Sequence, residues 1–286
     1  MSRKIFFSVA VISAVFVISG TAYPETLKVP KAIQGIEFPA GTEVEFYGSG
    51  QISLAELIQD QKIEDIGFSK GTRLLFYETG KIRMAVLRQE HNIQEVPCIG
   101  EADFYESGKL KSAILSRDKE IQGFPFSKGS RIALLQSGKM RGGPLSESRK
   151  IQDIDFPKGA EIYFSDSGRL LMAYLPADQD IQGLPLAMGK VYFRESGKVS
   201  RGMLSRDAEI SGIKLPKGSG IELYPSGRIQ NAFLSKNVEI QGQKIRAGSM
   251  ISFTPDGKLL VNNHTQPRAV NTPPHVMINS PPPQGK

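Results

Sequence analysis

"FYESGKLKSAIL", residues 104–115, sets a bulky apolar pair directly before Glu-Ser-Gly-Lys and follows it with a second apolar run. Glycine reaches the left-handed backbone that closes a bulged three-residue hairpin loop. With Glu106-Ser107-Gly108 as that loop, Tyr105 faces Lys109, Phe104 faces Leu110 and Asp103 faces Lys111. A two-residue Ser-Gly loop would set Phe104 against Lys111 and waste its burial. The stretch therefore reads as a β-hairpin. Its glycine is a backbone device, and nothing nearby matches a P-loop or a dinucleotide fingerprint.

The same phrase returns along the chain. Its glycine recurs at Gly50, Gly80, Gly108, Gly138, Gly168, Gly197, Gly227 and Gly257, at spacings of 30, 28, 30, 30, 29, 30 and 30. A second anchor keeps step at Ile33, Ile63, Ile93, Ile121, Ile151, Ile181, Ile210 and Ile240, usually followed by Gln. Two anchors in phase over eight units mark a repeat architecture. "IQGFPFSKGSRIALLQSGKMRGGPLSESRK" (121–150) is one full copy, numbered here from its isoleucine as position 1. Apolar residues come in short runs broken by Gly, Ser, Asp and Pro and never hold helical spacing, which is strand-and-turn grammar. The reading is all-β: eight repeats of about 30 residues, each of about three short antiparallel strands near positions 1–6, 11–15 and 19–25, forming an extended, curled array.

A parallel β-solenoid is the first alternative. It would stack Lys81, Lys109, Lys139, Arg169, Lys198, Arg228 and Lys258 on adjacent rungs, and like charges so placed repel. Antiparallel units side by side avoid this. A closed toroid is the second alternative, since residues 23–261 span nearly eight periods.

"FYETGKI" (76–82) and "FYESGKL" (104–110) share an aromatic-x-x-x-Gly-Lys-apolar core that resembles MORN-type repeats and their bacterial relatives. The match covers about ten residues of each thirty. The resemblance implies glycine-closed hairpins strung into elongated sheets, and a scaffold or binder of protein or membrane surfaces rather than an enzyme.

The ends of the chain read differently from its middle. Residues 1–22 have a basic head at Arg3 and Lys4, an apolar run from Ile5 to Ile18, and small residues at Gly20 and Ala22. That is the layout of a secretory signal peptide cleaved near Ala22. The run is shorter than the roughly 20 residues a spanning helix needs. No transmembrane segment is expected in the mature chain, which is placed in the periplasm or outside the cell. Residues 262–286 hold six prolines and no alternating pattern, so they read as a disordered, proline-rich tail. The repeat domain is 23–261. The formal charge of +7 falls to +5 without Arg3 and Lys4 and is spread along the chain, unlike the basic patch of a specific nucleic-acid binder. Cys98 is the only cysteine, so an intramolecular disulfide is excluded.

Few residues offer chemistry. The histidines, His91, His264 and His275, assemble no catalytic triad or zinc spacing. Cys98 stands at position 6, where other units carry Phe, Leu or Ile, and reads as a buried thiol. The acids at position 28 (Asp60, Glu90, Asp118, Asp178 and Asp207) read as turn residues bonding the following backbone, one per thirty residues being too sparse for calcium. The candidate binding surface is a column of aromatic–cation pairs: Tyr77 with Lys81, Tyr105 with Lys109, and Tyr224 with Arg228. Such pairs stack sugars or meet anionic groups. No catalytic residue, metal or cofactor is assigned. The function expected is an exported, non-enzymatic binding or scaffold module whose partner is a protein or envelope surface, polysaccharide or lipid headgroup. The alternative is a secreted polysaccharide hydrolase, which needs a non-repeating carboxylate pair in a groove, about 5 to 10 Å apart.

Overall fold

The alternating sequence is realised as strands throughout. The computed structural model describes residues 24–260, and among them there is no helix. The readings of residues 1–22 as a signal peptide and 262–286 as a tail lie outside the described residues. The chain divides into two units, one of residues up to Lys119 with Ser127–Lys139, the other of Glu120–Phe126 with Met140 onward.

In the first unit an antiparallel meander runs through Glu25–Thr26, Glu43–Phe46, Ile52–Glu56, Arg73–Phe76, Ile82–Ile93, Val96–Phe104, Leu110–Leu115 and Arg131–Leu134. In the second, Met140–Pro144 leads through Glu161–Phe164, Leu170–Leu175, Gly189–Phe193, Val199–Met203, Gly220–Leu223, Ile229–Phe233 and Met250–Phe253 to Leu259–Leu260. Each strand pairs antiparallel with the next. The parallel solenoid is thereby set aside, and within each unit the sheet is an open meander rather than a ring.

The expectation of three strands per thirty residues needs correction to four. Positions 1–6 do not form one strand but straddle a tight turn. Lys31–Ile33 pairs with Ile36–Phe38, Gln61–Ile63 with Ile66–Phe68, and Arg149–Ile151 with Ile154–Phe156, each a small hairpin outside the main sheet. Gln34 and Gly35 both have positive φ, 50° and 80°, as a two-residue hairpin turn of the primed type requires. Gln is an unusual residue there, and its side chain supplies the compensation. Gln94 Nε2 donates to Gly108 O at 2.9 Å while its Oε1 accepts from Leu110 N at 3.0 Å. Gln152 does the same with Gly168 O and Leu170 N, and Gln182 with Gly197 O and Val199 N. The amide acts as a one-residue strand partner for the loop of the main hairpin, tying the small hairpin to the sheet.

Replacing Gln152 by Gly therefore separates two effects. Relief of the left-handed strain is worth about 1 kcal/mol. Loss of the two bonds, with Leu170 N left unpaired, costs about 1–3 kcal/mol. The expected result is a net loss of about 1 kcal/mol in chemical denaturation. A gain in stability would show that the amide contributes nothing.

The main hairpin keeps most of the expected register. Gly108 has φ 77°, Tyr105 N donates to Lys109 O at 2.8 Å, and Phe104 pairs with Leu110. Asp103, however, pairs with Ser112 and not with Lys111, because a bulge shifts the register by one. The same shift follows Phe46↔Ile52, Phe76↔Ile82, Phe164↔Leu170, Phe193↔Val199 and Leu223↔Ile229. A bulge strengthens local twist and returns the outgoing strand to the correct face.

One face of each sheet is buried. Val44, Ala55, Leu74, Ala85, Ala102 and Ala113 line it in the first unit and Ile162, Ala173, Val191, Ile221 and Ala232 in the second, all 0–2 % exposed. Position 6 supplies the large side chains beneath: Phe38, Phe68, Phe126 and Phe156 are 0–2 % exposed. The shortened unit around "HNIQEVPCIGEADFY" shows what its two missing residues did. The turn between small hairpin and sheet strand is lost, and Ile82–Ile93 pairs with Val96–Phe104 on both sides of one irregularity, between Cys98 and Gly100.

Candidate functional site

The aromatic–cation column occupies the ends of the main hairpins, where the glycine loop fixes the backbone of both partners. Tyr77 N donates to Lys81 O and Tyr224 N to Arg228 O, both at 2.8 Å. The side chains go elsewhere. Tyr77 Oη donates to Phe104 O at 2.8 Å, Tyr105 Oη to Leu134 O at 2.9 Å and Tyr224 Oη to Phe253 O at 2.8 Å. Tyr47 makes the same bond to Phe76 O at 2.5 Å, and the Arg194 guanidinium takes the tyrosine's place on Leu223 O. In these five units the position-15 side chain is thus a clasp onto the hairpin that follows, whereas Ser165 and Thr254 bond within their own loops and Leu135 has no polar group. Burial pushes the Tyr77 phenol above its ordinary pKa.

The cations are not stacked on these rings as the sequence suggested. Lys81 reaches Glu64 at 2.8 Å, and that hydrogen bond with its charge holds the ammonium above its usual value. Arg228 Nη1 donates to Pro255 O at 3.3 Å. Over the Tyr105 ring lies Lys111, 5.7 Å from the centroid, because the bulge turns it back toward the loop; Lys109 is exposed. The three pairs therefore share one local geometry but present mainly their cations to solvent.

Two clefts open between consecutive small hairpins. One, of about 590 Å³, is lined by Gln34, Glu37, Gln61, Glu64 and Lys81 among others. Within it Gln34 bridges Ile52 N and Glu78 O, and Gln61 Nε2 donates to Glu37 O at 2.6 Å, leaving Gln61 Oε1 buried without a protein partner. The other, of about 560 Å³, lies between Asp207–Glu209 and Lys236–Glu239. Sequence reasoning missed these clefts because it took positions 1–6 for a single strand.

Four of the position-28 acids bond backbone as expected, but across the small hairpin and not within their own turn. Asp60 Oδ1 accepts from Lys70 N, Asp118 from Lys128 N, Asp178 from Met188 N and Asp207 from Lys217 N, at 2.7–2.8 Å and ten residues on. Ser148 and Asn237 substitute on Lys158 N and Ala247 N. Glu90, in the fused strand, pairs with Arg117 at 2.6 Å instead. Among the described residues no group of three or more His, Cys, Asp or Glu could hold a metal ion.

Cys98 is 0 % exposed, and burial pushes its thiol up to about 12, a value at which it is no nucleophile at neutral pH. His91 Nε2 accepts from Ser69 N at 2.9 Å while Nδ1 lies 2.9 Å from Gln89 O. That assigns the proton to Nδ1 and gives the imidazole a structural role beside Phe68. No helix among the described residues is long and apolar enough to cross a membrane. Compared with known proteins, the chain matches no family model and no curated protein.

Proposed function

We propose that this chain is an exported, non-enzymatic scaffold of eight repeats of about 30 residues that binds a protein or envelope surface. Its signal peptide is cleaved near Ala22. One observation carries the reading: the recurring side chains are spent on holding the fold together. The position-2 amide ties small hairpin to loop, the position-15 hydroxyl clasps the next hairpin, and the position-28 oxygen closes a turn. Binding is left to the exposed cations at the loop ends and to whatever varies between units. The likeness to MORN-type repeats in "FYETGKI" and "FYESGKL" points the same way. In the hydrolase alternative the carboxylates would be free to move protons, whereas Asp60, Asp118, Asp178 and Asp207 accept from backbone N–H groups and Glu90 pairs with Arg117.

Equal contacts repeated along one chain add by multivalency. Lys81→Ala alone is expected to weaken co-sedimentation with purified envelope a few-fold, and the triple change at Lys81, Lys109 and Arg228 to abolish it. Keeping Tyr77, Tyr105 and Tyr224 leaves the clasps intact. Unchanged binding by the folded triple variant would remove these cations from the reading. An intact Met1 on a cytoplasmic species, found by amino-terminal sequencing, would remove export.

A further inference from the structure

One strand position that varies between repeats gathers aromatic rings in two consecutive repeats of the second unit. Position 13 follows the buried position 12 and projects from the sheet face opposite the core. It holds Glu45, Leu75, Asp103 and Ala133 in the earlier repeats and then Tyr163 and Tyr192. The sheet therefore forms without a ring at this place. Tyr163 and Tyr192 both pair with Met172, from the strands on either side of it. Tyr174 follows on the same strand as Met172, is 45 % exposed, and pairs with Glu161 and Lys190. The rings are held by their neighbours. A Cβ on Gly142 would lie 2.7 Å from Cδ1 of Tyr163, so that ring leans over the bare backbone of its cross-strand partner. The Arg201 guanidinium lies 5.7 Å from the centroid of Tyr192. From Arg201 onward the row is polar and mutually bonded. Arg201 Nη2 and Asn231 Nδ2 each donate to Glu222 at 3.0 Å, and Ser252 Oγ donates to Asn231 Oδ1 at 2.7 Å.

We propose that this face of the second unit is a binding platform for an uncharged, β-1,4-linked glycan chain, lying along the row from Tyr163 to Asn231. The platform rests on the surface-binding function proposed above and gives that surface a chemistry. Sugar rings lay their C–H faces on aromatic rings, while their hydroxyls, donors and acceptors at once, bond fixed polar groups around the edge. Both kinds of group are present and interleaved here. Neighbouring strands are about 4.8 Å apart, so Tyr163 and Tyr192 stand about 10 Å apart, the length of one disaccharide in an extended β-1,4 chain. One sugar then lies over each strand, and every second sugar meets a position-13 tyrosine. Beyond Tyr192 the hydrogen-bonded side chains of Arg201, Glu222 and Asn231 continue the row at the same spacing. The charges select a neutral ligand. Glu161 and Glu222 balance Lys190 and Arg201 on this face, so it draws in neither an anionic headgroup nor an acidic peptide.

The test is isothermal titration of the purified full chain with cellohexaose and with N-acetylchitohexaose. The two probes share the linkage and differ in the N-acetyl group, so they separate a plain glucan from an amino-sugar polymer as the source. Binding of at least one is expected. Tyr174→Ala should weaken it about tenfold, whereas Tyr174→Phe, which keeps the ring, should change it less than about twofold. Tyr163→Leu, which keeps apolar bulk over Gly142, should weaken it as well. A variant that folds poorly would lower the stoichiometry, whereas a damaged platform lowers the affinity. Binding of neither hexaose would overturn the proposal, and so would affinities unchanged in both Tyr174→Ala and Tyr163→Leu. Adhesion to anionic lipid vesicles that those two variants abolish would overturn it in favour of a membrane surface. Co-sedimentation with purified envelope that persists without any hexaose binding would overturn the platform and leave the scaffold function standing.

Discussion

Gly142→Ala is expected to be among the most destabilising single-methyl additions in this protein. A Cβ built on Gly142 would lie 2.0 Å from Ile162 O and 2.7 Å from Cδ1 of Tyr163, its cross-strand partner. The carbonyl belongs to the neighbouring strand and has no rotamer to escape through. Relief requires Met140–Pro144 to part from Glu161–Phe164, at the first pairing of the second unit's meander. Overpacking that moves backbone costs about 3 kcal/mol or more. At about 2–4 °C per kcal/mol for a body of this size, the calorimetric midpoint should fall by about 6–12 °C. Gly202→Ala is the internal comparison. Its Cβ would meet only the Leu186 side chain, nearest at Cδ2, 2.9 Å away, and no backbone atom. Equal midpoints for the two variants would contradict the close strand approach.

The second large effect lies at position 6. Phe156 is 1 % exposed and meets Phe193 edge-on, with centroids 6.3 Å apart and planes at 78°. Truncation to alanine should cost about 3–5 kcal/mol through the cavity it leaves. Ile245 occupies the same position near the carboxyl end but is only half-buried. Ile245→Ala should therefore cost less than half as much. Urea denaturation of the two variants decides it, and similar losses would mean that the small hairpins do not press on the core unequally along the chain.

Much of this fold is legible in the sequence, for a stated reason. Two columns, position 14 and position 20, are apolar throughout, and only one loop length sets them opposite each other; Phe104↔Leu110 and Phe164↔Leu170 follow from that. The bulge after those pairs is not legible. It falls at Lys111 and Leu171, positions with no common side-chain type that would announce it. The turn inside positions 1–6 was hidden because Gln34 and its equivalents carry no usual turn signal. The cue was the pairing of Gln with the following Gly, recurring at one place in half of the units. The tyrosines were found, but their use was not: Tyr77 sits beside Lys81 in sequence, whereas its hydroxyl partner, Phe104 O, is 27 residues away.

That hydroxyl bond gives the chain a direction. Tyr47 reaches forward to Phe76, Tyr77 to Phe104, Tyr105 to Leu134 and Tyr224 to Phe253, and none of these reaches back. Trimming from the amino end would take away a donor and leave its carbonyl to water. Trimming from the carboxyl end would strip the acceptor from a half-buried phenol that stays behind. The two ends are thus unequal under shortening, and a chain made amino end first forms every donor before the carbonyl it will hold.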